Sequence, residues 1–376
     1  MEETLKFEEL YDAYLLCLKN KKRKEGTFNF VNNDLCENLI NLLDSLNNKT
    51  YKPQASNCYV ITDPALREIY AAQFKDRVVQ HFYMKEIEGI LDRKLVDGCC
   101  SCRKGRGTDY ALSLLKNYLV KTSNNGKKDC YFLKIDLSGY FMSIDRKQIS
   151  DKFKKLIIRE YEGKHKKLLL YLTPIIFKNN PALNCRYKCN EKLRNKVPER
   201  RKMNSKSEYG MTIGNLTAQA ASNLNLSDFD NYVVNELNMK KYVRYVDDIV
   251  IVSDNKNKLI EALPFISRKL DETHQKLNQK KTKIDTAFHG VKFLGKISYP
   301  YGYQKPTKQV IIRISSKAKN IKYKSNESLL AKTNAQIGVL KNYNCKRLIS
   351  NYFKLLPDET KKIIEFNNIE YKFQLY

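Results

Sequence analysis

The chain has 376 residues, long enough to bury a sizeable core in one large or two or three smaller domains, and its 42% hydrophobic content excludes a disordered polymer. Its longest apolar runs, such as residues 249–252, fall far short of the roughly 20 residues that span a bilayer, and its acidic start, Met1-Glu2-Glu3, lacks a signal core. Lysine and arginine number 69 against 41 aspartates and glutamates, a formal charge of +28 that concentrates polyanions around the chain. These features lead us to expect a soluble cytoplasmic protein with no membrane partner and with nucleic acid as a ligand. A lysine-rich composition shared by a whole genome is the alternative, and charge does not separate an enzyme from a passive binder.

The first ninety residues read mostly as helix, with Phe74, Val78, Phe82, Ile87 and Leu91 at helical spacing. A short strand at 58–61 and a turn at Asp63-Pro64 precede that run. Further strands are expected at 130–137, 242–245, 249–253, 292–297 and 310–314. Helices are expected at 146–160, 166–177, 216–237 and 256–276, and near the end at 328–340 and 346–355. No internal repeat is visible, and the irregular interleaving of helices and strands points to a mixed α+β fold. Ten cysteines include the cluster Cys99, Cys100 and Cys102 and the pair Cys185 and Cys189, without zinc-ribbon spacing, so free thiols are expected. A basic segment, Lys192, Arg194, Lys196, Arg200, Arg201, Lys202 and Lys206 around Pro198, reads as an exposed loop that either touches phosphates or is a solvated face.

Chemistry concentrates in Tyr242-Val243-Arg244-Tyr245-Val246-Asp247-Asp248-Ile249-Val250-Ile251-Val252. Two β-prone runs flank adjacent aspartates, which places both carboxylates at the tip of a hairpin. Such a pair is often plain turn chemistry, yet Val246 and Ile249 are poor turn residues, and two like charges there call for a cation. A third carboxylate, Asp136, ends the apolar strand Tyr131-Phe132-Leu133-Lys134-Ile135-Asp136. Beside the hairpin, Asp136 and Asp247 can bridge two magnesium ions about 4 Å apart, the arrangement that nucleotidyl transfer requires.

The Tyr-Val-Asp-Asp box, the strand ending in Asp136-Leu137, and Gly290-Val291-Lys292-Phe293-Leu294-Gly295 resemble, in order, the palm motifs of reverse transcriptases. Residues 66–80, with Arg67-Glu68 and Asp76-Arg77-Val78-Val79-Gln80, and Ser101-Cys102-Arg103-Lys104-Gly105-Arg106-Gly107 resemble the fingers motifs of bacterial members. The resemblance covers roughly residues 58–297. It implies a right-hand polymerase fold of fingers, a palm with an antiparallel sheet, and a small helical thumb. Fingers and palm would occupy 1–297, the fingers mainly 1–129 and part of 147–206, and the thumb 298–376. It also implies catalytic Asp136, Asp247 and Asp248, with the carbonyl of Leu137 joining them around two Mg2+ ions for which Mn2+ substitutes. Arg67 falls on the arginine that grips the incoming dNTP, and Arg103 and Arg106 are further phosphate or template candidates. Phe141 falls on the steric gate against a ribose 2′-hydroxyl, and Lys281 on the lysine that protonates pyrophosphate. Lys104, the basic segment from Lys192 to Lys202, and Gly290, Phe293, Leu294 and Gly295 would contact template RNA and the cDNA primer.

The box Gly210-Met211-Thr212-Ile213-Gly214-Asn215-Leu216-Thr217-Ala218-Gln219 is similar to that of diversity-generating retroelement enzymes, with Ala218 where that group has Ser. Most reverse transcriptases carry Gln-Gly at Ile213-Gly214. A glutamine can hydrogen-bond the nucleotide sugar and an isoleucine cannot, and each tenfold loss of discrimination is only about 1.4 kcal/mol. The resemblance therefore implies an error-prone enzyme that copies a template-repeat RNA, with a small basic oligomeric accessory protein as partner. About 80 residues follow the palm, which suits a thumb and leaves no room for an RNase H, integrase or endonuclease domain. A phage-defence enzyme, another compact bacterial enzyme, or a non-catalytic RNA-binding protein on the same scaffold are the alternatives.

Overall fold

The computed structural model describes residues 4–19, 25–32, 34–63, 65–341, 346–367 and 372–375, and Pro64 of the expected turn lies outside them. In chain order the elements are α1 (Phe7–Leu18), α2 (Glu25–Asn32), α3 (Leu35–Asn47), β1 (Ser56–Ile61), β2 (Arg67–Ala71), α4 (Phe74–Lys94) and α5 (Thr108–Thr122). Then come β3 (Tyr131–Asp136), α6 (Tyr140–Ser143), α7 (Arg146–Glu160), α8 (Lys166–Phe177), β4 (Cys185–Tyr187), α9 (Glu191–Asn195), α10 (Leu216–Asn225) and α11 (Ser227–Asn231). After these follow β5 (Tyr242–Tyr245), β6 (Asp248–Ser253), α12 (Lys256–Asp271), β7 (Lys283–Thr286), β8 (Val291–Phe293), β9 (Lys296–Ser298) and β10 (Gln304–Pro306). The last are α13 (Lys308–Lys319), α14 (Asn326–Lys341), α15 (Lys346–Lys354), α16 (Asp358–Lys361), β11 (Ile364–Asn367) and β12 (Lys372–Leu375). The mixture of helices with antiparallel sheets is the α+β fold read from the sequence.

The chain divides into two compact units, one of residues 1–107, 133–251 and 257–283, the other of residues 108–132, 252–256 and 284–376. In the first, β5, β6 and β3 lie side by side in that order, with β5 and β6 antiparallel. A second sheet, β2-β1-β4, pairs β1 antiparallel to β2 and parallel to β4. Helices α1 and α10 pack on α4, and α7 packs on α8. Rings close that contact: Phe153 and Phe177 stack at 4.1 Å, and Tyr83 meets Phe177 edge-on while its hydroxyl bonds Thr173. Each such fully buried side chain contributes about 1.5–3 kcal/mol.

The second unit packs α5 on β9 and builds its other core from α13, α14, α15, β11 and β12 around Leu329, Ile337, Tyr352 and Phe373. Here the sequence reading is corrected, because residues 310–314 are not a strand but the start of α13. Val310, Ile314 and Ala318 are buried, the four-residue spacing of a helix face, while Ile312 between them is 57% exposed. Residues 292–297 form a hairpin rather than one strand, since Leu294 and Gly295 both take positive φ (45° and 80°) and turn the chain between β8 and β9. The expected helix at 216–237 is likewise interrupted at Leu226 and loosens into a π turn over Tyr232–Glu236. Strand β2 carries no β-branched run to announce it beyond Ile69, and it forms by pairing with β1.

Candidate active site

The site grows from the tip of the β5–β6 hairpin. Tyr245 pairs with Asp248, which leaves Val246 and Asp247 as a two-residue turn. Val246 sits at φ 60°, a left-handed conformation that costs a β-branched residue of order 1–3 kcal/mol and persists only where its surroundings enforce it. Those surroundings are visible. The Val246 N–H donates to Ser101 Oγ at 3.1 Å, and its carbonyl accepts from Arg244 Nη1 at 3.1 Å. Arg244 is wholly buried, with Nε and Nη2 on both oxygens of buried Asp230 at 2.6–3.0 Å, and Tyr242 adds its hydroxyl at 2.5 Å. The Arg244 peptide bonds the backbone of Gly98 and Cys100 at 2.8 and 2.9 Å. A side chain at Gly98 would place its Cβ 2.1 Å from the Tyr242 carbonyl oxygen, so only glycine admits this approach.

Asp247 and Asp136 line one cleft of about 450 Å³ together with Leu137, Phe141, Ile213, Arg67, Arg201, Asn278 and Lys281. Asp136 accepts from Lys281 Nζ at 3.1 and 3.2 Å and from Asn278 Nδ2 at 3.0 Å. Burial, with the charge of Asp136 added, holds the Asp247 carboxyl above the usual carboxylate range. Asp248 is pushed up to about 6 by burial, against which Lys134 works and to which Asp247 and Asp136 add. Its Oδ1 lies 3.2 Å from Lys134 Nζ without a well-directed hydrogen bond. The structure thus brings Asp136 and Asp247 onto one cleft and gives Asp248 a lysine partner.

The chemistry of the donors suits a hard divalent cation. Asp136 and Asp247 present carboxylates on a cleft that Leu137 also lines, and Asp248 holds one carboxylate oxygen short of a hydrogen bond. Among the described residues no group of three or more Asp, Glu, His or Cys closes as a complete set of ligands. Magnesium does not demand one, since it keeps waters and accepts substrate oxygens alongside one or two carboxylates.

Cationic and apolar walls are positioned from elsewhere. Arg67 on β2 lines the cleft, and its buried Nε has no hydrogen-bond partner. Arg201 comes from the basic segment, which is not the freely exposed loop that composition suggested. Buried Glu68, next to Arg67, accepts from Arg194 Nε and from the Met203 N–H, both at 3.3 Å, and so fastens both flanks of that segment to β2. Arg194 also stacks 3.8 Å from the Tyr187 ring centre, and Arg201 Nη1 donates to the Leu66 carbonyl at 3.3 Å. Lys202 pairs with Glu199, Lys192 and Lys196 are exposed, and the Arg200 side chain lies outside the described residues. Ile213 enters the cleft because its box is tied down on both sides: Asn215 Oδ1 accepts from the Ala72 N–H at 3.2 Å, and the Met211 N–H donates to the Phe141 carbonyl at 2.7 Å. Gly214 takes φ 116°, with space for a Cβ only 2.9 Å from Ile69.

Other residues singled out from the sequence lie away from the cleft lining. Arg103 binds Asp92 and the carbonyls of Val96 and Cys99, Arg106 binds Asp97, and Lys104 is exposed. Gly290, Phe293, Leu294 and Gly295 form the β8–β9 hairpin of the second unit, with Phe293 buried and Gly290 at φ 87°. Sequence reading missed Gly98, Asp230 and Asn278, and it quoted Ser101 and Asn215 within their motifs without a role, because the partners of all five lie far off in the chain and leave no local pattern. It missed the cleft position of Arg201 for the same reason.

Comparison with known proteins bears on this geometry. Among curated proteins no sequence matches. Solved structures that resemble the chain include apo telomerase from Candida tropicalis truncated from its C-terminal domain, at 12% identity and TM-score 0.49, over 68% of this chain and 56% of that one. Telomerase from Candida albicans in complex with a TWJ fragment of telomeric RNA gives 13% identity and TM-score 0.48, over 84% of this chain and 56% of that one. The chain thus spans a little over half the length of these structures. The family model described as reverse transcriptase (RNA-dependent DNA polymerase) matches residues 62–297, which include every residue that lines the cleft. The chain belongs to the reverse transcriptase family.

Proposed function

We propose that the chain is an RNA-directed DNA polymerase that extends a primer on template RNA with dNTPs, and that the Asp136–Asp247 cleft is its active site. The observation that carries this reading is the convergence of Asp136 and Asp247 on one cleft with Arg67, whose buried Nε has no partner. Asp136, Asp247, Asp248 and the Leu137 carbonyl would hold two magnesium ions, which activate a 3′-hydroxyl and neutralise the triphosphate when bound. Arg67 and Arg201 face the phosphates and offset their charge. Lys281 Nζ, beside Asp136, would donate to departing pyrophosphate. The Phe141 ring excludes a ribose 2′-hydroxyl, and Ile213 gives the nucleotide an apolar wall without a hydrogen bond. In this reading the fingers occupy mainly 1–129 and part of 147–206, the palm extends to 297, and the thumb is 298–376.

Within the family we place the chain with the diversity-generating retroelement enzymes, on the Ile213-Gly214-Asn215 box. It would then copy a template-repeat RNA with errors opposite adenine, alongside a small basic oligomeric accessory protein. The deciding experiment is primer extension on an RNA template with Mg2+ and four dNTPs, followed by sequencing of the product. Synthesis should vanish in Asp247→Asn, and Ile213→Gln should raise fidelity. An unchanged error spectrum in Ile213→Gln removes the subgroup assignment and leaves the polymerase. If the accessory protein and its RNA restore no synthesis either, the chain is a non-catalytic binder.

A further inference from the structure

The second unit carries an aromatic surface that the proposed polymerase site does not use. Between β9 and β10 the chain runs Tyr299-Pro300-Tyr301-Gly302-Tyr303, a tight loop closed by the Tyr299 N–H on the Tyr303 carbonyl at 2.9 Å and the Gly302 N–H on the Tyr299 carbonyl at 3.1 Å. Ser123 Oγ fixes its middle by donating to the Pro300 carbonyl at 3.1 Å. The loop is rigid, and its rings are ordered. Tyr299 stacks on Tyr301 with centroids 5.4 Å apart and planes 17° apart, and on Tyr303 at 5.9 Å and 28°.

Those two outer tyrosines are 56% and 53% exposed, among the most exposed large apolar side chains of the described residues. Such rings offer a broad apolar face that a stacking partner can cover, which is why tyrosine is enriched at interfaces. The charge around the ladder is basic. Lys305 Nζ stands 5.2 Å from the Tyr299 ring centre, and a Cβ at Gly302 would lie 3.5 Å from Lys116 Cε. The turn at Gly126, followed by exposed Lys127 and Lys128, abuts Tyr301 and Phe288. Flat π faces interleaved with lysines match unpaired bases on a phosphate chain, since every base presents a π face and every nucleotide a negative charge. A preorganised loop adds to this by losing little freedom on binding.

We propose that the outer faces of Tyr301 and Tyr303, with Lys305 and Lys116 beside them, form a stacking site for the unpaired bases of a single-stranded nucleic acid. The site is independent of the metal-dependent cleft and needs neither dNTPs nor divalent ions.

The chain contains no tryptophan, so Tyr301→Trp places a lone indole in the ladder, which can be excited selectively over the tyrosines. The full chain carrying it is titrated with a uridine octamer in the absence of Mg2+ and dNTPs, which separates this test from the polymerase reading. Stacking should quench the emission saturably, while an abasic octamer of equal charge should leave it unchanged. Adding Tyr303→Ala should weaken the half-saturation by about 5- to 150-fold, and Tyr303→Phe, which keeps the ring, should restore it. Tyr303→Trp serves as the second reporter should the first variant not fold. Emission that stays constant while a labelled octamer binds, equal quenching by the abasic octamer, or no binding of either octamer would overturn the proposal.

Discussion

Arg201 and Ile213 show how single residues gain meaning from distant ones. Arg201 has nothing in its own neighbourhood to place it on the cleft and arrives through Glu68, whereas Ile213 was marked by its local box and is held there through Asn215 and Ala72. Composition identified Arg201 only as one of several basic residues, whereas Asp136 and Asp247 were legible because an apolar strand ending in a carboxylate is a local pattern. If Arg201 meets the triphosphate, Arg201→Ala should raise the KM for dNTPs about 10- to 100-fold, the range for one lost charge-assisted hydrogen bond. Primer–template affinity should hold, and Arg201→Lys should restore part of the loss. Asp76 offers a separate test. Buried against the Tyr51 hydroxyl (2.7 Å) and the Gln54 N–H (3.0 Å), its carboxyl is pushed up to about 6 by burial, those hydrogen bonds opposing. The folded chain therefore holds this proton more tightly than the unfolded chain does. The stabilisation is fully present below about pH 4 and is lost as pH rises through about 6. The unfolding free energy from urea titrations should fall across that window by about 3 kcal/mol more for the wild type than for Asp76→Asn.

At the scale of elements, the hairpin was the easiest feature to read and its supports the hardest. Aromatic and β-branched runs announce β5 and β6, yet nothing local announces that Arg244 would be sealed in with Asp230. Removing one partner leaves the other charge buried and alone, so Asp230→Ala should cost about 3–5 kcal/mol in chemical unfolding. Primer extension should be lost with it, because the Val246 turn loses the arginine that bonds its carbonyl. A variant of unchanged stability would mean that the pair does not hold the turn. Helix α13 shows the opposite error. Val310, Ile311, Ile312 and Ile314 look like a strand by propensity, and the tertiary core overrode that preference by burying only every fourth position. Helix α7 was legible at both ends because Ile149, Phe153, Leu156 and Ile157 keep helical spacing.

For the molecule as a whole, a charge of +28 leads us to expect a polyanion partner without saying where it would bind, and the split into two units was not written in any linker. Among the described residues no helix is long and apolar enough to cross a membrane. One consequence for the complete chain follows from Lys281. Its ammonium, together with the Asn278 amide, offsets the charge of Asp136, which predicts a fold that stands without an added ion. Melting in EDTA and in 5 mM Mg2+ should differ by only about 2 °C, the shift expected of millimolar binding to a preformed site. A collapse of the transition in EDTA would show instead that the metal is a folding partner.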